Sequence, residues 1–224
     1  NKGVTVNTPT AENDIREAVE NSLSKESWKN TGLHKRAGIL VPLFSVYSKK
    51  SIGIGDFEDL KTLADFCAKT SNSILQLLPM NETGGTSCPY DSVSSFALEP
   101  AYLAIEKIPG LNAKIKKRIS ELRKEFPTGK PHVDYRIKSA KIKLLWEAFE
   151  GNADKEFEKF RSENSYWIED FALFKVLKKY HNGAPWYEWP REFKGRDKTP
   201  LGIFFVEYKK EILFEIWMQW KLYE

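Results

Sequence analysis

The sequence predicts an α/β fold: two buried parallel strands joined by a helix, then a long helical stretch. Three observations carry the expectation. Residues 37–46 (AGILVPLFSV) form an almost unbroken apolar run, as expected of a parallel strand buried on both faces. Phe57, Leu60, Leu63, Ala64 and Cys67 recur at three- and four-residue spacing, which lays one apolar stripe along a helix. Residues 73–79 (SILQLLP) are a second short apolar run, so the order reads strand, helix, parallel strand.

In chain order, residues 1–10 are polar and rich in Thr and Asn, and read as a linker or arm. Residues 12–23 fit a short packing helix with Ile15, Ala18, Val19 and Leu23 on one side. After the first strand comes a loop holding Gly53 and Gly55. Asp56 can cap the following helix, with Asp59 three residues on, and Ser71 and Asn72 end it. A polar, glycine-bearing loop then runs through Cys88, Pro89, Tyr90, Asp91, Ser92, Val93, Ser94, Ser95, Phe96 and Ala97. Loops after the carboxyl ends of parallel strands are where α/β proteins place ligand chemistry.

Pro109 and Gly110 mark a turn, and beyond them the pattern becomes helical. Residues 114–126 form a basic amphipathic segment with Ile115, Ile119 and Leu122 inward, its charges reading as a solvated face. Pro127, Thr128 and Gly129 break it. A second helix has Ile137, Ala140, Leu144, Leu145, Ala148 and Phe149 as its inner side, and Gly151 and Asn152 stop it. Residues 153–161 make a short helix, and 166–177 a strongly apolar one ending near His181, Asn182 and Gly183. A turn at 186–190 precedes a last helix over 203–222. Some ninety residues of helix after the second strand tell against an open flavodoxin-like sheet, whose crossovers are usually much shorter.

The 224 residues are 41% hydrophobic and 29% charged, which places the chain among ordinary globular proteins. Its 35 basic and 31 acidic residues leave a net charge of +4, too small an excess to favour nucleic-acid binding. Two cysteines, Cys67 and Cys88, make no disulfide framework and no metal spacing, and read as reduced thiols of a cytosolic protein. No apolar run approaches the roughly 20 residues needed to cross a bilayer, so no membrane role is expected. The chain begins with Asn1 rather than Met, which fits a segment removed upstream.

Residues 36–222 resemble the start of the catalytic domain of the 4-α-glucanotransferases (amylomaltases or disproportionating enzymes), relatives of the α-amylases. The resemblance rests on ordered blocks: Gly38, Pro42 and Ser45; Ile52-Gly53-Ile54-Gly55-Asp56-Phe57 with Asp59-Leu60; Gln76-Leu77-Leu78-Pro79. The next block holds Pro89-Tyr90, Ser92, Ser94, Phe96-Ala97, Pro100, Tyr102 and Leu103. It continues through the helix over 166–177, the Trp186-Tyr187-Glu188-Trp189-Pro190 turn, and Phe214, Trp217, Gln219 and Trp220. A lone Gly-x-Gly-Asp would say little; the order and spacing of the blocks are specific.

The resemblance implies the N-terminal portion of a decorated (β/α)8 barrel, about two strands, with a large helical insertion. Residues 1–32 would be an arm, 33–108 the first two β/α units, 109–200 the insertion, and 201–224 a barrel helix leading to a third strand. It further implies transfer of α-1,4-glucan segments between maltodextrins by retaining double displacement, with two carboxylates about 5 Å apart. The family's nucleophile lies in an Arg-x-Asp-His-Phe-Arg-Gly-like strand, followed by a Glu acid/base and a third Asp, and this chain holds no such motif. The expectation is therefore a fragment lacking the catalytic carboxylates, partnered by a maltodextrin and by the remainder of its own enzyme. No organic cofactor is implied, and no metal-ligand cluster is visible.

By resemblance, Tyr90 would stack on a donor sugar beside the nucleophile, its hydroxyl reaching a sugar oxygen, with Pro89 fixing the loop. Asp91, Ser92 and Cys88 complete the candidate set, with Asp91 and Ser92 more suited to tying down the loop. Cys88 stands where relatives often have Ser or Tyr, and Gly85 where some have a Tyr of a second glucan site. Asn81 and Glu82 could face the cleft. His34, His132 and His181 are expected at the surface, and Trp186, Trp189, Trp217 and Trp220 in the core. If the chain were active alone, its acid and base would be sought among Glu82, Asp91, Asp134 and Asp170. The competing readings are a non-catalytic carbohydrate-binding or interaction domain, a hydrolytic amylase relative, and a basic nucleic-acid binder using residues 114–124.

Overall fold

A computed structural model describes residues 37–149 and 155–224. The arm, the helix expected over 12–23, His34, and the stop at Gly151 and Asn152 lie outside the described residues. Strand β1 (Gly38–Val41) pairs in parallel with β2 (Ile74–Leu77), Gly38 opposite Ile74 and Val41 opposite Leu77. Helix α1 (Phe57–Lys69) joins them. Pro42, which has no N–H for the ladder, ends β1, and a 3-10 turn over Leu43–Ser45 takes the rest of the apolar run.

Both strands differ from the expectation of burial on two faces. Leu40 is 61% exposed and Ile74 46%. The sheet has only these two strands among the described residues, so its outer edges and much of its faces find no cover. The stripe of α1 is likewise only partly covered: Cys67 is buried, Phe57, Leu60 and Leu63 are half-buried, and Ala64 is exposed.

Local signals at the α1 entrance act as expected. The Asp56 carboxylate accepts from the Glu58 and Asp59 backbone N–H groups, and the Asp59 carboxylate accepts in return from the Asp56 N–H, a complete capping box. Gly53 holds φ +73, and a Cβ on Gly55 would stand 2.0 Å from the Val46 carbonyl oxygen. The turn therefore requires glycine at both positions.

Helices dominate from residue 113 on: α2 (Ala113–Glu125), α3 (Arg136–Ala148), α4 (Lys155–Glu163), α5 (Ile168–Tyr180), α6 (Arg191–Lys194), α7 (Lys198–Glu207) and α8 (Lys209–Tyr223). Asn112 caps α2 through the Ile115 N–H at 2.9 Å, and Asn182 and Gly183 close α5 with positive φ. The single helix expected over 203–222 is two, α7 and α8, meeting at Tyr208, whose ring stacks on Phe204 at 4.4 Å. The expected boundary between residues 200 and 201 falls inside α7.

Helix α8 packs on α5 and buries Ile212, Phe214, Ile216, Trp217, Met218, Gln219 and Trp220. Trp217 lies against Phe149 at 5.5 Å, Trp220 against Phe157, and Trp189 against Phe174. Trp186 is the exception among the expected core tryptophans: it ends 55% exposed on a 3-10 turn, beside the exposed Tyr187. His181 also departs from expectation. It is half-buried, stacked on Trp189 at 5.3 Å, with Nε2 shielded and unpaired.

Candidate functional site

Because the strands are parallel, the segments leaving β1 and β2 emerge on the same end of the sheet. The segment after β2, residues 80–99, folds back on itself. Asn81 bridges Leu98 and Thr83 bridges Ser92, both antiparallel. Glu82 clamps this hairpin by its backbone: its N–H donates to the Ala97 carbonyl at 2.8 Å, and its carbonyl accepts from the Val93 N–H at 2.9 Å. Gly84 N–H donates to the Asp91 carbonyl and Glu99 N–H to the Met80 carbonyl, each at 2.9 Å.

Side chains from three helices then fix the hairpin. From α8, Gln219 spans the Leu98 peptide, accepting its N–H at 2.8 Å and donating to its carbonyl at 2.9 Å. Tyr223 of α8 donates its hydroxyl to the Phe96 carbonyl at 2.6 Å. From α3, Lys138 donates to the Thr83 carbonyl at 3.1 Å and the Glu99 carboxylate at 2.9 Å. From α5, Lys175 donates to the buried Glu82 carboxylate. Glu99 Oε2 also accepts the Thr83 N–H and hydroxyl at 2.8 Å each.

On this anchored base the sequence-predicted residues sit together at the tip. Tyr90 is 74% exposed, with its ring free to meet a ligand face. Pro89 is half-buried; Cys88, Asp91 and Ser92 are exposed. Asp91 accepts the Thr86 hydroxyl at 2.7 Å and its N–H donates to the Cys88 carbonyl, so it ties the tip. Ser94 does the same lower down, its hydroxyl accepting the Phe96 and Ala97 N–H groups. Cys88 and Cys67 are both free thiols.

The expectation that Glu82 faces a cleft is corrected. Its side chain is 1% exposed and turned inward to Lys175, because an ionised carboxylate out of water needs a counter-charge. Burial alone would lower the Lys175 ammonium, but Glu82 and Glu215 outweigh it and hold the group above its ordinary value. Asp134 is bound by Arg136, which with the adjacent N–H holds it below the usual carboxylate range. Asp170 pairs with Arg196 at 2.7 Å. Each fallback carboxylate is thus engaged in a local bond or ion pair.

A buried lysine on α3 has no signal in the sequence. Lys141 of α3 is fully buried and donates to the Ala101 and Leu103 carbonyls at 2.6 and 3.2 Å. Burial pushes it down to about 8, against the pull of Asp56, Asp59 and Glu99. The charged face of α2 is partly neutralised, Lys114 by Glu147, Arg118 by Glu121 and Glu125, and Arg123 by Glu106.

Tyr90 lines none of the four clefts found among the described residues. One of about 440 Å³ lies among Phe44, Tyr47, Lys130, His132 and Tyr135; another of about 490 Å³ lies between Phe57, Leu60, Ala64, Leu103 and Leu222. Among the described residues no group of three or more His, Cys, Asp or Glu could hold a metal ion. No described helix is long and apolar enough to cross a membrane.

Comparison with known proteins gives a consistent result. A family described as 4-alpha-glucanotransferase matches residues 41–224. A 4-alpha-glucanotransferase of Chlamydia caviae is 32% identical over 221 residues, covering 92% of this chain and 40% of that protein. The rice 4-alpha-glucanotransferase DPE2 (Oryza sativa subsp. japonica) is 31% identical over 219 residues, covering 91% of this chain and 22% of its own length. The fold is similar to amylomaltase from Corynebacterium glutamicum, with TM-score 0.66 and 19% identity over 95% of this chain and 28% of the other. It is also similar to amylomaltase from Streptococcus agalactiae, solved in complex with acarbose, with TM-score 0.62 and 19% identity over 84% and 39% of the two chains. The chain spans about 40% of the length of the Chlamydia relative.

Proposed function

The chain belongs to the 4-alpha-glucanotransferase family, and from that premise we propose that it supplies glucan-binding residues to an enzyme transferring α-1,4-glucan segments between maltodextrins. In this reading β1, α1 and β2 are the first two steps of a (β/α)8 barrel. Residues 109–200 are its helical insertion, and residues 201–224 lead to a third strand. The observation that carries the proposal is Tyr90: an exposed aromatic ring on a hairpin held by three helices, at the carboxyl end of parallel strands.

The chemistry follows from that placement. A sugar ring presents an apolar C–H face that stacks on an aromatic ring, and the phenol hydroxyl can donate to or accept from a sugar oxygen. An anchored hairpin presents the ring with little ordering cost on binding. Pro89 restricts the backbone beside it, and Asp91 and Ser92 keep the tip closed around it. Retaining transfer needs a nucleophile and an acid/base about 5 Å apart. Glu82, Asp134 and Asp170 are ion-paired, and the family's nucleophile motif is absent from these 224 residues. The chain alone therefore binds glucan without cleaving it. Its partners are the maltodextrin and the rest of the enzyme, and its unpaired thiols suit the cytoplasm.

The test incubates the 224-residue chain with maltotriose, and separately titrates it with maltoheptaose. The expected result is saturable binding of maltoheptaose with no glucose and no longer maltodextrins from maltotriose. Products would place acid and base within this chain and overturn the assignment of the carboxylates. Absence of binding would remove the glucan role from the Tyr90 loop.

A further inference from the structure

The 3-10 turn that follows β1 and the segment that leads into α3 enclose a cleft of about 440 Å³. Sites for small ligands are commonly about 300–1,000 Å³. Three aromatic rings line it, Phe44, Tyr47 and Tyr135, together with the polar Thr128, Lys130 and His132. Each ring is half-buried, so part of it is packed and part meets solvent. Phe44 and Tyr135 brace each other edge to face, with centroids 6.3 Å apart and planes at 64°. Gly129 holds φ +77, and a Cβ there would stand 3.4 Å from the Tyr47 hydroxyl, so the loop backbone runs close beside that ring.

The lining decides what the cleft can take. No Asp, Glu or Cys belongs to it, so it has no carboxylate pair with which to cleave a glycosidic bond. Aromatic faces interleaved with hydroxyl and N–H donors suit a neutral ligand rich in hydroxyls that also has apolar faces, which is a saccharide. The cleft adjoins the Tyr90 hairpin. It opens on the segment leaving β1, and the parallel pairing puts that segment at the same end of the sheet as the hairpin. Tyr135 is common to both: it lines the cleft, and Cys88 at the hairpin tip and Glu99 at its base are ionisable neighbours of its hydroxyl. Neither Tyr90 nor Gly85 lines the cleft.

We propose that this cleft is a saccharide-binding subsite in its own right. The rings of Phe44, Tyr47 and Tyr135 receive the apolar face of a glucosyl unit, and Lys130 and His132 donate to its oxygens. The choice of an α-1,4-glucan as the saccharide rests on the function proposed above, whereas the cleft itself does not depend on Tyr90.

The test follows the tyrosine rings of the full chain, labelled with 13C and assigned by single Tyr→Phe substitutions, during titration with maltoheptaose. The expected result is that the Tyr47 and Tyr135 resonances move and saturate. In Tyr47→Ala the Tyr135 resonance then needs about fivefold more ligand to saturate, the scale of one aromatic contact. Unchanged saturation in Tyr47→Ala overturns the inference. Should that variant fail to fold by circular dichroism, unchanged saturation in His132→Ala, whose side chain is exposed, overturns it instead. Tyr90 is read in the same spectra. Movement of Tyr90 with Tyr47 and Tyr135 still overturns the inference and leaves the Tyr90 reading standing. Movement of Tyr47 and Tyr135 with Tyr90 still supports the inference and removes the glucan role from the hairpin. No movement, or movement that never saturates, overturns both.

Discussion

Lys141 sits where a helix stripe calls for an apolar residue. It occupies the inner face of α3 with Ile137, Leu144 and Leu145, fully out of solvent. Two carbonyls at the end of the 3-10 turn Pro100–Tyr102 accept from its ammonium, and Asp56, Asp59 and Glu99 supply the negative field. The lysine therefore links α3 to the cap of α1 and to the segment below the hairpin. Lys141→Met keeps the volume but leaves two carbonyls and the carboxylates without their cation. It should lower stability by about 3 kcal/mol, the usual scale for breaking a buried ionic contact, as read from urea unfolding at pH 7. A change within a few tenths would show that the lysine is a passive filler. The acidic end of the pH scale belongs to Glu215. Its folded value is raised, so the stability it contributes is full below the ordinary carboxylate value and is lost as pH rises through about 6.

At the scale of elements, the parts with local causes were readable and the parts joined across the chain were not. The α1 capping box needs only Asp56 and Asp59, three residues apart, and the stop of α5 needs only Asn182 and Gly183. The hairpin is different. Glu82 meets Lys175 across 93 residues and Leu98 meets Gln219 across 121, and no spacing in the sequence announces either pair. The family blocks single out Tyr90 as a candidate; the groups that hold its loop carry no such signal, because a charged residue reads as surface until its buried partner is known. The one visible sign was Gln219 among Phe214, Ile216, Trp217, Met218 and Trp220, a polar residue in an apolar helix. Gln219→Leu would leave the half-buried Leu98 N–H and carbonyl unpaired. The expected cost is about 2 kcal/mol in urea unfolding, with faster amide exchange confined to residues 80–99. Exchange that rises evenly over the whole chain would contradict the role of α8 as the hairpin's anchor.

For the molecule as a whole, two architectures share one chain. The helical part is well buried around α5 and α8, whereas the parallel pair β1–β2 keeps Leu40 and Ile74 in solvent. The apolar runs identified the strands and their direction, but burial depends on what flanks a strand, and that information is not in the run itself. Tyr90 stands at the meeting of the two parts, projecting from strand-end backbone that helices hold in place. The direct measurement of this account is calorimetric titration of maltoheptaose into the wild-type chain and into Tyr90→Ala. The expected result is a loss of about tenfold or more in affinity, the scale of one aromatic contact plus a hydrogen bond, with unchanged thermal stability because the ring is exposed. Equal affinity in the two proteins would contradict it, and would move the search to the cleft beside Tyr47 and Tyr135.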